Sequence, residues 1–147
     1  MSPVRSPETE AAIAEVEAQL GMLFTRVRTM WKDAAHRVHP DLQPVGYKLL
    51  ANLVRTGSCN AGALAEQLAT DKSVISRQVK LMEELGLVES IPDPADGRAR
   101  ILTATPEAVV KINAIRDSNQ ALLRSRLSDW SDDDLVRFSS LLGRLAE

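Results

Sequence analysis

Residues 73–103 read SVISRQVKLMEELGLVESIPDPADGRARILT, and a change of period inside this stretch decides the fold. In its first half Ile75, Val79 and Met82 recur at steps of four and three, the spacing of one face of a helix. Gly86 supplies a helix stop. Beyond it, Leu87 to Ile91 and Arg98 to Thr103 read as two short strands. Between them Pro92-Asp93-Pro94-Ala95-Asp96-Gly97 is dense in turn formers, each suited to a tight change of direction. The stretch predicts a helix followed by a β-hairpin with a polar tip.

Working outward, Ala69-Thr70-Asp71 forms a tight connection, with Asp71 placed to cap the helix from about Lys72 to Leu85. Before it a short helix follows Asn60, a good N-cap, and carries Leu64, Ala65 and Leu68. Before that a helix covers about Pro44 to Arg55, with Tyr47, Leu50, Leu53 and Val54 inward and Gly57 as its stop. Ser6-Pro7-Glu8 opens the first helix as cap, proline at the first position and acid near the positive end. Its apolar residues Ile13, Val16, Leu20, Leu23, Val27, Met30 and Ala34 alternate three- and four-residue steps, the seam of a helix that packs along its length; Pro40 ends it. Thr105-Pro106-Glu107 repeats the opening pattern for a helix to about Asp129. Ser131 and Asp134 stand in capping-box register ahead of a last helix with Leu135, Phe138, Leu142 and Leu145 as its stripe.

The predicted architecture is mainly α with a small β-hairpin wing, a winged helix-turn-helix flanked by N- and C-terminal helices. Three segments follow: a dimerisation helix over 1–40, a DNA-binding lobe over 41–104 and further dimerisation helices over 105–147. The outer seams carry more apolar surface than 147 residues bury alone, which predicts a homodimer built from both ends. No apolar run reaches the ~20 residues of a bilayer span. The opening Met1 to Pro7 lacks the apolar core of a secretory leader, and the single cysteine, Cys59, excludes an intrachain disulfide. These features predict a cytoplasmic protein.

Two short helices joined by a tight turn and followed by a hairpin are a DNA-reading plan. One face of the helix after Asp71 presents Ser73, Val74, Ser76, Arg77 and Lys80. Hydroxyls and cations there suit bases and phosphates, and a small apolar group suits a thymine methyl. At the hairpin tip Asp96 stands two residues before Arg98, a spacing that would orient the arginine for a narrow minor groove. Arg100 is a further candidate for a phosphate. Net charge is −2, and residues 55–100 hold six bases against seven acids, so affinity must come from placement rather than bulk field.

Leu64-Ala65 with Leu68, the run Ser73 to Val88, and Asp93-Pro94-Ala95-Asp96-Gly97-Arg98-Ala99-Arg100 followed by Leu102-Thr103 together resemble the MarR family of bacterial regulators. The resemblance implies a homodimer with interlocked terminal helices, a pseudo-palindromic duplex DNA operator, and repression relieved by a small aromatic effector or by cysteine oxidation. It departs from the family at Leu81 and Leu85, where basic residues are frequent, and at Glu89-Ser90, which replace a frequent arginine pair. Ala108 replaces a common glycine.

Other readings are weaker. Cys59 could sense oxidants, but it occupies a short apolar slot, the place of an inert thiol. His36 and His39, three apart on the first helix, suit the helix dipole or a pocket better than a metal. Trp31, His36 and Tyr47 are candidates to line an effector cavity, with aromatic core packing as the plainer role of Trp31 and Tyr47. No P-loop, dinucleotide glycine pattern, H-E-x-x-H or nucleophile elbow is present, so neither an enzyme nor a cofactor is expected. A winged-helix protein-interaction module is the alternative outside DNA binding.

Overall fold

A computed structural model describes residues 4–147; the first three residues of the predicted N-terminal segment lie outside the described residues. The order is α1 (Pro7–Val38), α2 (Pro44–Thr56), β1 (Ser58–Asn60), α3 (Ala61–Gln67), α4 (Lys72–Glu84), β2 (Val88–Pro92), β3 (Arg100–Ala104), α5 (Pro106–Leu127) and α6 (Asp132–Ala146). The helix starts obey the local rules of the sequence. Ser6, Asn60, Thr105 and Ser131 each accept a hydrogen bond from the backbone N–H three residues on, satisfying a donor that the first turn leaves orphaned.

Asp71 departs from this pattern. It holds the N-cap position of α4 in an extended conformation, but its side chain makes no capping bond. Its carbonyl instead accepts from Val74 and Ile75, at 3.1 Å each. The preceding turn explains the tight geometry. Thr70 N–H bonds back to the Ala65 carbonyl at 3.0 Å, and Ala69 takes a left-handed φ of 48°. That wrap closes α3 as a glycine-ended helix closes, with a residue that has a Cβ to accommodate. α4 ends in the same way at Gly86, φ 72°, with Leu87 N–H on the Met82 carbonyl at 2.8 Å.

The sheet holds one strand more than the sequence reading found. β1 pairs antiparallel with β3, Cys59 opposite Leu102, and β2 pairs with the other side of β3, Ser90 opposite Leu102. The order β1-β3-β2 leaves β2 at an edge. The hairpin strands also sit one or two residues later than the apolar pattern placed them.

Leu49, Leu50 and Leu53 of α2, Leu64 of α3, Ile75 and Met82 of α4, and Leu87, Val88 and Leu102 of the hairpin share one core with Ala34, Ala35 and Val38 of α1 and Ala108, Ile112 and Ile115 of α5. Gly46 permits the close approach of α2 and α4: a Cβ there would lie 2.6 Å from Leu42 Cδ1 and 2.9 Å from Gln78 Oε1. Lys111 of α5 ties the outer helices together. Its Nζ donates to the Val38 carbonyl at the end of α1 (3.1 Å) and pairs with Glu107 at 3.2 Å.

Beyond this core the outer helices are bare. Val16 is 53% exposed, and Leu23, Phe24, Leu122, Leu123, Phe138, Leu142 and Leu145 are exposed as well; α6 buries none of its residues. The seam expected along the first helix is therefore covered within one chain only at its C-terminal end, at Ala34. Trp130 at the α5–α6 corner stacks edge-on against Phe138, centroids 5.2 Å apart.

Candidate nucleic-acid interface

α4 divides into two faces. Ile75 and Met82 are fully buried and Val79 packs partly against the core. Ser73, Ser76, Arg77 and Lys80 are exposed on the other side and Val74 is half-buried, so the structure brings the five predicted residues together on one outward face. Glu83 and Glu84 lie at the far end of the helix. Gln78, a side chain suited to adenine, was in neither face of the sequence reading. It is half-buried, and its Oε1 is enclosed next to Gly46 with no hydrogen-bond partner among the described residues. The close approach at Gly46 was the only signal, and a sequence does not display it.

The wing tip is built from two successive Asx turns. Asp93 Oδ1 accepts from Ala95 N–H at 2.8 Å, and Asp96 Oδ1 accepts from Arg98 N–H at 3.1 Å. Asp93 N–H to the Ala99 carbonyl and Ala99 N–H to the Asp96 carbonyl, 3.0 Å each, close the loop. Asp96 was expected to orient the Arg98 guanidinium; it holds the Arg98 backbone instead. The reason is geometric: a carboxylate two residues before an N–H is the Asx-turn spacing, and the short side chain meets the amide first. The Arg98 side chain is exposed and forms no ion pair among the described residues.

Arg100 is arranged differently. Its Nε donates to Ser90 Oγ at 2.9 Å and its Nη2 to the Ser90 carbonyl at 2.8 Å. Sequence reasoning missed Ser90 as its partner because the contact depends on strand register.

Cys59 sits half-buried on β1. Burial pushes its thiol above the ordinary value, opposed only by a smaller hydrogen bond with Thr56. A raised pKa means little thiolate at neutral pH, and the thiolate is the reactive form. Iodoacetamide should therefore label native protein at pH 7 more slowly than a free thiol and approach the free rate on unfolding, and brief peroxide treatment should leave Cys59 reduced. Fast labelling of the native state at pH 7 would contradict this.

Trp31 is half-buried with Lys48 Nζ 3.8 Å from its ring centroid, a cation–π contact. Tyr47 lies in the core. Burial raises its pKa, partly opposed by Arg116 and Arg37. His36 is exposed on α1. His39 Nδ1 accepts the Asp41 N–H at 3.1 Å, which occupies the nitrogen nearest the Asp41 carboxylate.

Two helices at a tight turn, a reading face on the second and a hairpin beside it define a winged helix-turn-helix protein. Residues 41–99 match the MarR family model. The chain is similar to YxaD, an uncharacterised HTH-type transcriptional regulator of Bacillus subtilis, at 28% identity over 118 residues, covering 80% of this chain and 82% of that one. The HTH-type transcriptional repressor MdtR of the same organism is 18% identical over 135 residues, 92% of this chain and 86% of MdtR. Among solved structures, Streptococcus pneumoniae FabT in complex with DNA superposes with a TM-score of 0.82 at 12% identity, covering 91% of this chain and 94% of FabT.

Proposed function

We infer that this chain is a sequence-specific DNA-binding transcriptional regulator of the MarR class and not an enzyme. The observation that carries the inference is the outward face of α4, where Ser73, Ser76, Arg77 and Lys80 stand exposed beside a wing whose Arg98 guanidinium forms no ion pair among the described residues. In a chain of net charge −2, exposed Arg77 and Lys80 on the reading helix and Arg98 on the adjoining hairpin have the placement that groove recognition requires. Ser73, Val74, Ser76, Arg77 and Lys80 are assigned to the major groove and Arg98 to the flanking minor groove, with Asp96 holding the tip.

Residues 41–104 are assigned as the DNA-binding lobe. The bare apolar faces of α1, α5 and α6 support a homodimer through 1–40 and 105–147, with recognition helices about one helical turn (~34 Å) apart. Similarity to a repressor supports repression by promoter occlusion. Release by a small aromatic effector is the regulation the family implies, with Trp31, His36 and Tyr47 the side chains proposed to meet it. Among the described residues no helix is long and apolar enough to cross a membrane, and a cytoplasmic location is proposed. The raised thiol of Cys59 disfavours the redox alternative.

Selection of genomic fragments by the purified protein at moderate salt tests this reading. The expected result is enrichment of a pseudo-palindrome with half-site centres ~10–10.5 base pairs apart. Failure to enrich any sequence at any salt would move the protein-interaction reading to the front.

A further inference from the structure

We propose that Arg100 is a positioning residue: its guanidinium clamps Ser90 across the hairpin and sets the angle at which the wing presents Arg98. The proposal rests on the DNA-binding reading above.

The ladder locates the clamp. Asp93 N–H bonds the Ala99 carbonyl and Thr105 N–H bonds the Leu87 carbonyl. In an antiparallel pair hydrogen-bonded and non-bonded rungs alternate. The Ser90–Leu102 and Pro92–Arg100 rungs are therefore non-bonded, and their backbone groups on β2 turn away from β3. Since β2 is the edge strand, the Ser90 carbonyl faces the open side of the sheet with no ladder partner. Pro92, lacking an N–H, is tolerated on that same edge.

Arg100 lies diagonally opposite Ser90, within reach of a long side chain. One guanidinium holds both oxygens of Ser90, Oγ at 2.9 Å and the carbonyl at 2.8 Å. The fork is planar and charged, so the two bonds fix an orientation as well as a distance. The clamp stands at the border between anchored and free hairpin. Leu102, opposite Ser90, is buried, whereas Pro92 and Arg100 on the next rung of that face are exposed. Beyond it only two strands and a turn remain, and an unsupported two-stranded ribbon is marginal in water. The serine at position 90 supplies the hydroxyl that the fork uses.

Charge and geometry are separable by substitution. Ser90→Ala removes no charge, Arg100→Lys keeps the charge without the fork, and Arg100→Ala removes both. In the free protein, amide exchange at Asp93 and Ala99 should quicken by about 2- to 12-fold in Ser90→Ala, which loses one net hydrogen bond, and by more in Arg100→Ala, which loses the carbonyl bond as well, while the Thr105 amide at the hairpin base is unchanged. On a duplex carrying the half-sites recovered by selection, all three should bind more weakly, Ser90→Ala least and Arg100→Ala most. Ser90→Ala should keep the wild-type salt dependence, and lysine should not fully restore what alanine loses. If Ser90→Ala binds as wild type and Arg100→Lys recovers the affinity, Arg100 touches phosphate directly and the clamp is overturned. Unchanged exchange at Asp93 and Ala99 in Ser90→Ala overturns it as well. If wild type binds no duplex, the DNA reading fails by itself, and exchange still decides the clamp.

Discussion

Leu64→Ala should destabilise the protein by about 2–5 kcal/mol, the range for truncating a fully buried leucine. α3 is seven residues long and buries only Leu64 and Ala65. A helix of that length does not hold itself together in water, so its place depends on Leu64 reaching the core formed with Ile75, Met82 and Leu102. The cavity would open under the helix-turn-helix itself. Denaturant melts of wild type and variant at matched protein concentration would show a lower midpoint at unchanged slope. A cost below about 1 kcal/mol would mean that the Asn60 cap and the turn, rather than the core, fix α3.

Arg98→Ala should weaken binding to the selected operator by about 1–3 kcal/mol, roughly 5- to 150-fold, with folding and assembly intact. Folding is indifferent to this side chain because it is exposed and forms no ion pair among the described residues. Binding is sensitive because the two Asx turns have already fixed the backbone that carries it, so little ordering is left to oppose the contact. A titration at several salt concentrations should also show the dependence on log salt flattened by about one. Equal affinity of variant and wild type at fixed salt would remove Arg98 from the interface.

The helices and the hairpin were legible because their signals are local. Caps at Ser6, Asn60, Thr105 and Ser131 and the turn-former run Pro92 to Gly97 act within a few residues, and the structure follows them. β1 was not legible as a strand: Ser58-Cys59-Asn60 is too short to show a period, and its partner β3 lies some forty residues on. The α4 face was readable from helical spacing, but the burial of Gln78 against Gly46 belongs to the crossing of two helices. The Asp96–Arg98 spacing is legible in the sequence, and only the donor differs, the Arg98 backbone N–H in place of its guanidinium. Arg100 could not be paired with Ser90 without the rung numbering. The α1 period was plain, yet what covers its N-terminal half is absent from a single chain.

The bond from Lys111 to the Val38 carbonyl bears on mechanics. The five residues from His39 to Gln43 that lead from α1 into α2 would look, in a diagram, like a loose joint. One end of that joint is bolted to α5 by an ammonium seated on the last turn of α1, and Leu42, inside the joint, is itself buried. α1, α5 and α2 therefore pack on one another at this corner, and α2 packs in turn on α4.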